Sequence, residues 1–183
     1  MKYIIMCGGK YPKWEKPRQL IEVNGEPIVA RTIRLLREAG IEDIAISSNS
    51  EVFEQFGVPV LCHDNDYLSY EYNNNRGLWC NGIYPMDEPA TYLLGDVVYS
   101  PAAIRTIIDT ETDDIMFFGS KPPFHAPYPK WYEEPFGFKV QNQQHMHEAI
   151  DKVRKLDAEH RFYRQPIAWE LWNVIRGGDP NHI

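Results

Sequence analysis

The chain has no run approaching the roughly 18 consecutive apolar residues that a membrane-spanning helix needs, so no membrane role is expected. Its N-terminal apolar stretch, Tyr3 to Cys7, is also too short for a signal peptide. An excess of positive charge is missing: 19 Lys and Arg face 26 Asp and Glu, for a net charge of -7. That balance argues against sequence-independent binding to nucleic acid, which needs a broad basic surface to displace counterions. Any anion site must be local. Cysteine is sparse, and Cys7, Cys62 and Cys80 show neither a C-x-x-C spacing nor a paired framework. This usage points to a reducing compartment, and a cytoplasmic protein is expected. The chain lacks a G-x-x-x-x-G-K-S/T loop, a G-x-G-x-x-G fingerprint and any readable Ser-His-Asp or Cys-His constellation. A P-loop, a dinucleotide fingerprint and a covalent nucleophile are therefore not expected. His145 and His147 are two apart and would not share a helix face, which disfavours a zinc site.

What is present describes one folded domain over residues 1–183, with 43% hydrophobic residues. Lys2 to Cys7 is a continuous apolar run of the kind buried on both faces in a parallel sheet, and Gly8-Gly9 ends it. Ile21 to Val23 with Asn24-Gly25 predicts a short extended piece and a tight turn. Ile28, Val29, Ile33, Leu35, Leu36 and Ala39 recur at helical spacing before Gly40, and IEDIAISSN follows as a second strand. Strand, loop, helix, strand is the order of a right-handed parallel crossover. Further along, a short helix is expected over Glu51 to Phe56. Strands are expected at Val58 to Cys62, Ala90 to Leu94, Asp114 to Phe118 and Phe136 to Val140. Helices are expected from Ser100-Pro101 through Ile108, over Met146 to Leu156 and over Pro166 to Ile175. Residues 121–135 hold five prolines and four aromatic residues and read as an irregular arm, a candidate for covering a substrate or for mediating a homodimer.

The segment GGKYPKWEKPRQL carries the first chemistry. Glycines at the carboxyl end of a parallel strand let backbone approach a ligand, and Lys10, Lys13, Lys16 and Arg18 can offer charge-assisted bonds to a polyphosphate. The same residues taken alone also describe a plain turn with a solvated basic face. The ordered string of strand, Gly-Gly, basic loop, PRQLIEVNGEPI, helix and GIEDIAISSN resembles the N-terminal half of the nucleotidyltransferases with a GT-A-type fold. These include sugar-1-phosphate nucleotidyltransferases, phosphocholine-type cytidylyltransferases, CMP-sugar synthetases and molybdenum cofactor guanylyltransferases. The resemblance is good over residues 1–50 and thin afterwards.

The resemblance implies a three-layer α/β/α, Rossmann-like architecture with a mostly parallel sheet. It also implies transfer of a nucleoside monophosphate from a nucleoside triphosphate to a phosphorylated small molecule, with pyrophosphate released and Mg²⁺ as cofactor. CTP and a sugar phosphate or phospho-alcohol of a surface polysaccharide pathway are favoured by analogy. Cys7, Gly8, Gly9 and Lys10 would face the nucleotide. Arg18, in Pro17-Arg18-Gln19-Leu20, stands where the family has a phosphate-holding lysine, and Lys13 where it has an arginine in a G-T-R or S-x-R-M segment.

In YLLGDVVYS the resemblance makes Asp96 the first metal-binding carboxylate, whereas cap preferences alone would make it a turn residue. The late I-D-x-D-T-x-E-D segment that would hold a second acid is absent, and Asp179, Glu133 and Glu134 are the candidates left. Asn74 and Arg76, in Asn73-Asn74-Asn75-Arg76-Gly77, match a polar loop around nucleotide and acceptor, or form an ordinary turn. Two other readings stay open: a GT-A glycosyltransferase, for which Asp64-Asn65-Asp66 has the D-x-D spacing, and a nucleotide-binding protein with weak or lost catalysis.

Overall fold

The computed structural model describes residues 1–8, 16–62, 78–120 and 134–182. The N-terminal apolar run forms β1 (Lys2–Met6), which sends Tyr3, Ile5 and Cys7 into one core and Ile4 and Met6 toward another. Alternation of a wholly apolar strand between two cores is what burial on both faces demands. β2 (Glu22–Val23) and β3 (Glu26–Pro27) form a small hairpin. Asn24 and Gly25 turn it at φ 54° and 78°, the left-handed pair that a two-residue type I′ turn requires. α1 (Ile28–Glu38) buries Val29, Ile33 and Leu36, and Gly40 follows it at φ 87°.

β4 (Ile44–Ser47) pairs in parallel with β1, and β5 (Val60–Leu61) pairs in parallel with β4. β6 (Ala90–Leu94) lies parallel to β1 on its other side. α2 (Pro101–Asp109) starts as expected, its Ser100 hydroxyl accepting the Ala103 N–H at 3.1 Å. β7 (Ile115–Ser120), β8 (Glu134–Val140), α3 (Gln143–Ala158) and α4 (Ala168–Ile175) complete the elements. α3 begins three residues before the first apolar position because the Asn142 side chain accepts the His145 N–H and caps it. α4 begins two residues after Pro166, where the buried Glu170 carboxylate accepts from the Ile167 N–H at 2.9 Å and from Arg164 at 2.6 Å.

The sheet order is β5-β4-β1-β6-β8-β7, with β8 antiparallel to both neighbours and the first four strands parallel. α1 and α2 supply Val29, Leu36, Ile104 and Ile107 to the core on one face. α3 and α4 supply Met146, Val153, Leu171 and Val174 to the core on the other. The result is the expected three-layer α/β/α architecture on a mostly parallel sheet. Connections leave β1 toward β4 on one side, while β6 continues the sheet on the other. The crevice between the carboxyl ends of β1 and β6 is thus a topological switch point, where open α/β sheets take their ligands.

Candidate active site

The switch point is built from the last residues of three neighbouring strands. Beyond β1, Cys7 N–H donates to Ser47 O at 2.9 Å; beyond β6, Gly95 N–H donates to Met6 O at 3.0 Å. The buried Ser48 hydroxyl donates to Cys7 O at 3.2 Å and accepts the Ser50 N–H at 3.1 Å, tying the exit of β1 to the exit of β4. These bonds hold Cys7, and with it the start of the Gly8 turn, at the edge of the crevice.

Gly95 is required by contact, not by backbone conformation. A Cβ there would stand 2.6 Å from Cys7 Sγ, 2.6 Å from Met6 O and 3.0 Å from Gln19 Cγ. The absence of a side chain lets β6 close against β1 and against the 3₁₀ turn Arg18–Leu20, whose Gln19 is buried. The next residue, Asp96, therefore emerges beside that turn. Its Oδ2 lies 2.7 Å from Arg18 Nη2, with the two side chains 23% and 35% exposed. A carboxylate and a guanidinium from positions 78 apart in the chain meet at the mouth of the switch point.

Tyr99 braces this corner from below. Its hydroxyl donates to Phe136 O at 2.6 Å and approaches Leu94 O at 3.3 Å, while its carbonyl accepts Arg31 Nε at 3.3 Å. Burial raises the Tyr99 phenol well above its ordinary range, the Leu94 bond opposing the shift and Asp96 and Cys7 adding to it. Burial likewise raises the Cys7 thiol, with the Asp96 carboxylate adding to the shift. Cys7 is thus a neutral packing group here, and its thiol is not a nucleophile at neutral pH.

Of the residues singled out from the sequence, Cys7, Gly8, Arg18 and Asp96 are brought to this one crevice. Gly9, Lys10, Lys13, Asn74, Arg76, Asp64-Asn65-Asp66 and the arm through Glu133 lie outside the described residues. Asp179 is exposed in the turn after α4, where its carboxylate accepts the Asn181 N–H at 3.0 Å. Asn181 in turn bonds Arg161 O and the Tyr163 N–H, so this turn belongs to the α3–α4 layer. Glu134 opens β8 opposite Ser120. Among the described residues no group of three or more His, Cys, Asp or Glu side chains is arranged to hold a metal ion. Sequence reasoning did not single out Ser48 or Tyr99 and did not foresee the contact that demands Gly95. Only the Gly-Asp pair closing an apolar strand hinted at the last.

Comparison with known proteins bears on the family and the fold. The model of the MobA-like NTP transferase domain matches residues 3–161. Among solved structures, the CTP:phosphocholine cytidylyltransferase of Streptococcus pneumoniae is similar at a TM-score of 0.50 and 16% identity, over 85% of this chain and 78% of that one. The 4-diphosphocytidyl-2C-methyl-D-erythritol synthase of Anaerococcus prevotii is similar at a TM-score of 0.51 and 10% identity, over 84% of this chain and 76% of that one. At such identities the structural likeness is one of fold. The family model spans β1, the Arg18 turn, Asp96 and the whole sheet, and the chain belongs to the MobA-like NTP transferase family of nucleotidyltransferases.

Proposed function

We infer that the protein is a Mg²⁺-dependent nucleotidyltransferase that joins a nucleoside monophosphate, preferentially from CTP, to the phosphate of a sugar phosphate or phospho-alcohol. The observation that carries the reading is the Arg18–Asp96 pair at the carboxyl ends of β1 and β6. One cation and one carboxylate at a switch point suit a polyphosphate that arrives with a metal ion. The base and the acceptor rest on family analogy.

In the reaction, an oxygen of the acceptor phosphate attacks the α-phosphorus in line, a new P–O bond forms, and the bond to the β-phosphate oxygen breaks. Pyrophosphate carries away the electron pair. The acceptor is already ionised, so no general base has to remove a proton. Arg18 would hold phosphate oxygens through its planar fork, with Lys13 supplying a second cation from the basic loop. Gly8 and Gly9 would let the nucleotide approach the backbone at the end of β1, with Cys7 and Lys10 beside it. Asn74 and Arg76 would contact base, ribose or acceptor phosphate.

The donor set fits Mg²⁺. Asp96 would offer a hard carboxylate oxygen at the crevice mouth, and Mg²⁺ commonly takes one or two protein carboxylates, completing its shell with water and substrate phosphates. When bound it neutralises the charge that builds on the phosphates. Asp96 would hold it and orient the triphosphate toward Arg18. Asp179, bonded within its own turn, would be one candidate for a second carboxylate, with Glu133 and Glu134 the alternatives.

The missing late acidic segment favours a second reading, a nucleotide-binding protein without turnover. Pyrophosphate release decides between the two. CTP, UTP, GTP, ATP and dTTP are each supplied with Mg²⁺ and a panel of sugar phosphates and phosphocholine. Release that needs one triphosphate and one acceptor, and is lost in Asp96→Asn, is the expected result. Silence across the panel with measurable triphosphate binding supports the binding protein, and silence without binding refutes the phosphate-loop reading.

A further inference from the structure

The two groups assigned to opposite charges of the substrate complex are engaged with each other. Asp96 Oδ2 and Arg18 Nη2 are 2.7 Å apart, and among the described residues Arg18 is the one ion-pair partner of Asp96. A metal ion that takes the Asp96 carboxylate meets the adjacent guanidinium charge and competes with it for the carboxylate. A phosphate that takes the guanidinium likewise meets the adjacent carboxylate charge and competes with it. We propose that the Arg18–Asp96 ion pair is a latch: it weakens binding of a divalent cation alone or a polyphosphate alone, and releases both groups together when the metal–triphosphate complex arrives. This rests on the nucleotidyltransferase reading of the same site and adds selection for the metal–triphosphate complex over its separate parts. Gly95 makes the latch reachable, because its close contact with Met6 and Cys7 delivers Asp96 to the Arg18 turn.

The strength of the effect follows from the pair's setting. Exposed ion pairs contribute weakly, and charge-assisted bonds sheltered from solvent contribute more. With side chains 35% and 23% exposed, loss of one partner should tighten binding to the other by about fivefold.

The test titrates the intact protein with Mn²⁺ alone, without nucleotide, following water-proton relaxation. Arg18→Gln should bind Mn²⁺ about fivefold more tightly than the wild type. Lys16→Gln, which removes an exposed charge two residues away, should change it less than about twofold and serves as the control for the general field. An unchanged Arg18→Gln affinity, an equal gain in Lys16→Gln, or no Mn²⁺ binding by any variant overturns the latch. The complementary arm titrates Asp96→Asn with inorganic tripolyphosphate in EDTA, and decides the matter should Arg18→Gln fail to fold. Tighter binding than the wild type upholds the latch and equal or weaker binding overturns it. Pyrophosphate release by the wild type is measured separately, so failure of the latch and failure of the nucleotidyltransferase reading are told apart.

Discussion

Replacing Gly95 by alanine should damage stability and activity together, because one contact positions both the sheet and the acid. The new Cβ would lie 2.6 Å from Met6 O and from Cys7 Sγ, where ordinary contact begins at 3.4 Å, so β6 must move from β1 by about 0.8 Å. Neither neighbour yields easily. Met6 O is backbone in the central strand and already accepts the Gly95 N–H at 3.0 Å, while Cys7 is buried. Overpacking of this kind costs about 1–3 kcal/mol, and weakening the Gly95–Met6 bond adds about 1 kcal/mol. For a chain of 183 residues a loss of about 2–4 kcal/mol lowers Tm by roughly 5–12 °C. Asp96 is the next residue and shifts with the strand end, so kcat/KM for pyrophosphate release should fall by about 10- to 100-fold. Gly178→Ala is the control: the nearest atom to its added Cβ is Arg176 Nε, on a flexible side chain at 3.4 Å, and its Tm should stay within about 1 °C. Thermal melts and initial rates on both variants suffice. A Gly95→Ala protein with wild-type Tm and rate would refute the argument that β1 and β6 must close on a glycine to place Asp96.

Two further outcomes follow from the buried ionisable groups. Cys62 is exposed, whereas Cys7 and Cys80 are buried and burial raises both thiols, Cys80 to about 12. One thiol per chain should react with Ellman's reagent at pH 8 in the native state and three in denaturant; two or three in the native state would contradict the burial. Stability should also fall at alkaline pH. Burial raises Cys7, Cys80, Tyr3, Tyr92 and Tyr99 in the folded state, so above the ordinary values of 9.0 and 10.0 the unfolded chain loses these protons first. Their contribution is complete below pH 9 and is lost as pH rises toward the folded values. Lys139, lowered by burial, pulls the other way over part of that range but is a single group. The urea midpoint should decline between pH 9 and 11, and a flat profile would refute the linkage.

The local elements were legible in the sequence because their signals are short-range. β1 announces itself as an apolar run before glycine, the β2–β3 turn as Asn24-Gly25, α1 as a 3.6-residue rhythm closed by Gly40, and α2 as Ser100-Pro101. Their order implied a parallel crossover, hence a layered α/β fold with its site at strand ends, and the string around Pro17-Arg18 pointed to the family. Strand direction and neighbourhood were not legible. Nothing in EPFGFKV says that β8 runs against β6, since an apolar strand reads alike in either sense and the choice is made by partners distant in sequence. Asp96 and Arg18 were each visible as candidates, but their pairing was not. It depends on the sheet bringing β6 against β1, on Gly95 leaving room for Met6 O, and on Gln19 packing beneath the turn. Residue types and spacings determined which chemistry the chain carries; the tertiary structure alone decided which charges face each other, because that distance is set by long-range packing.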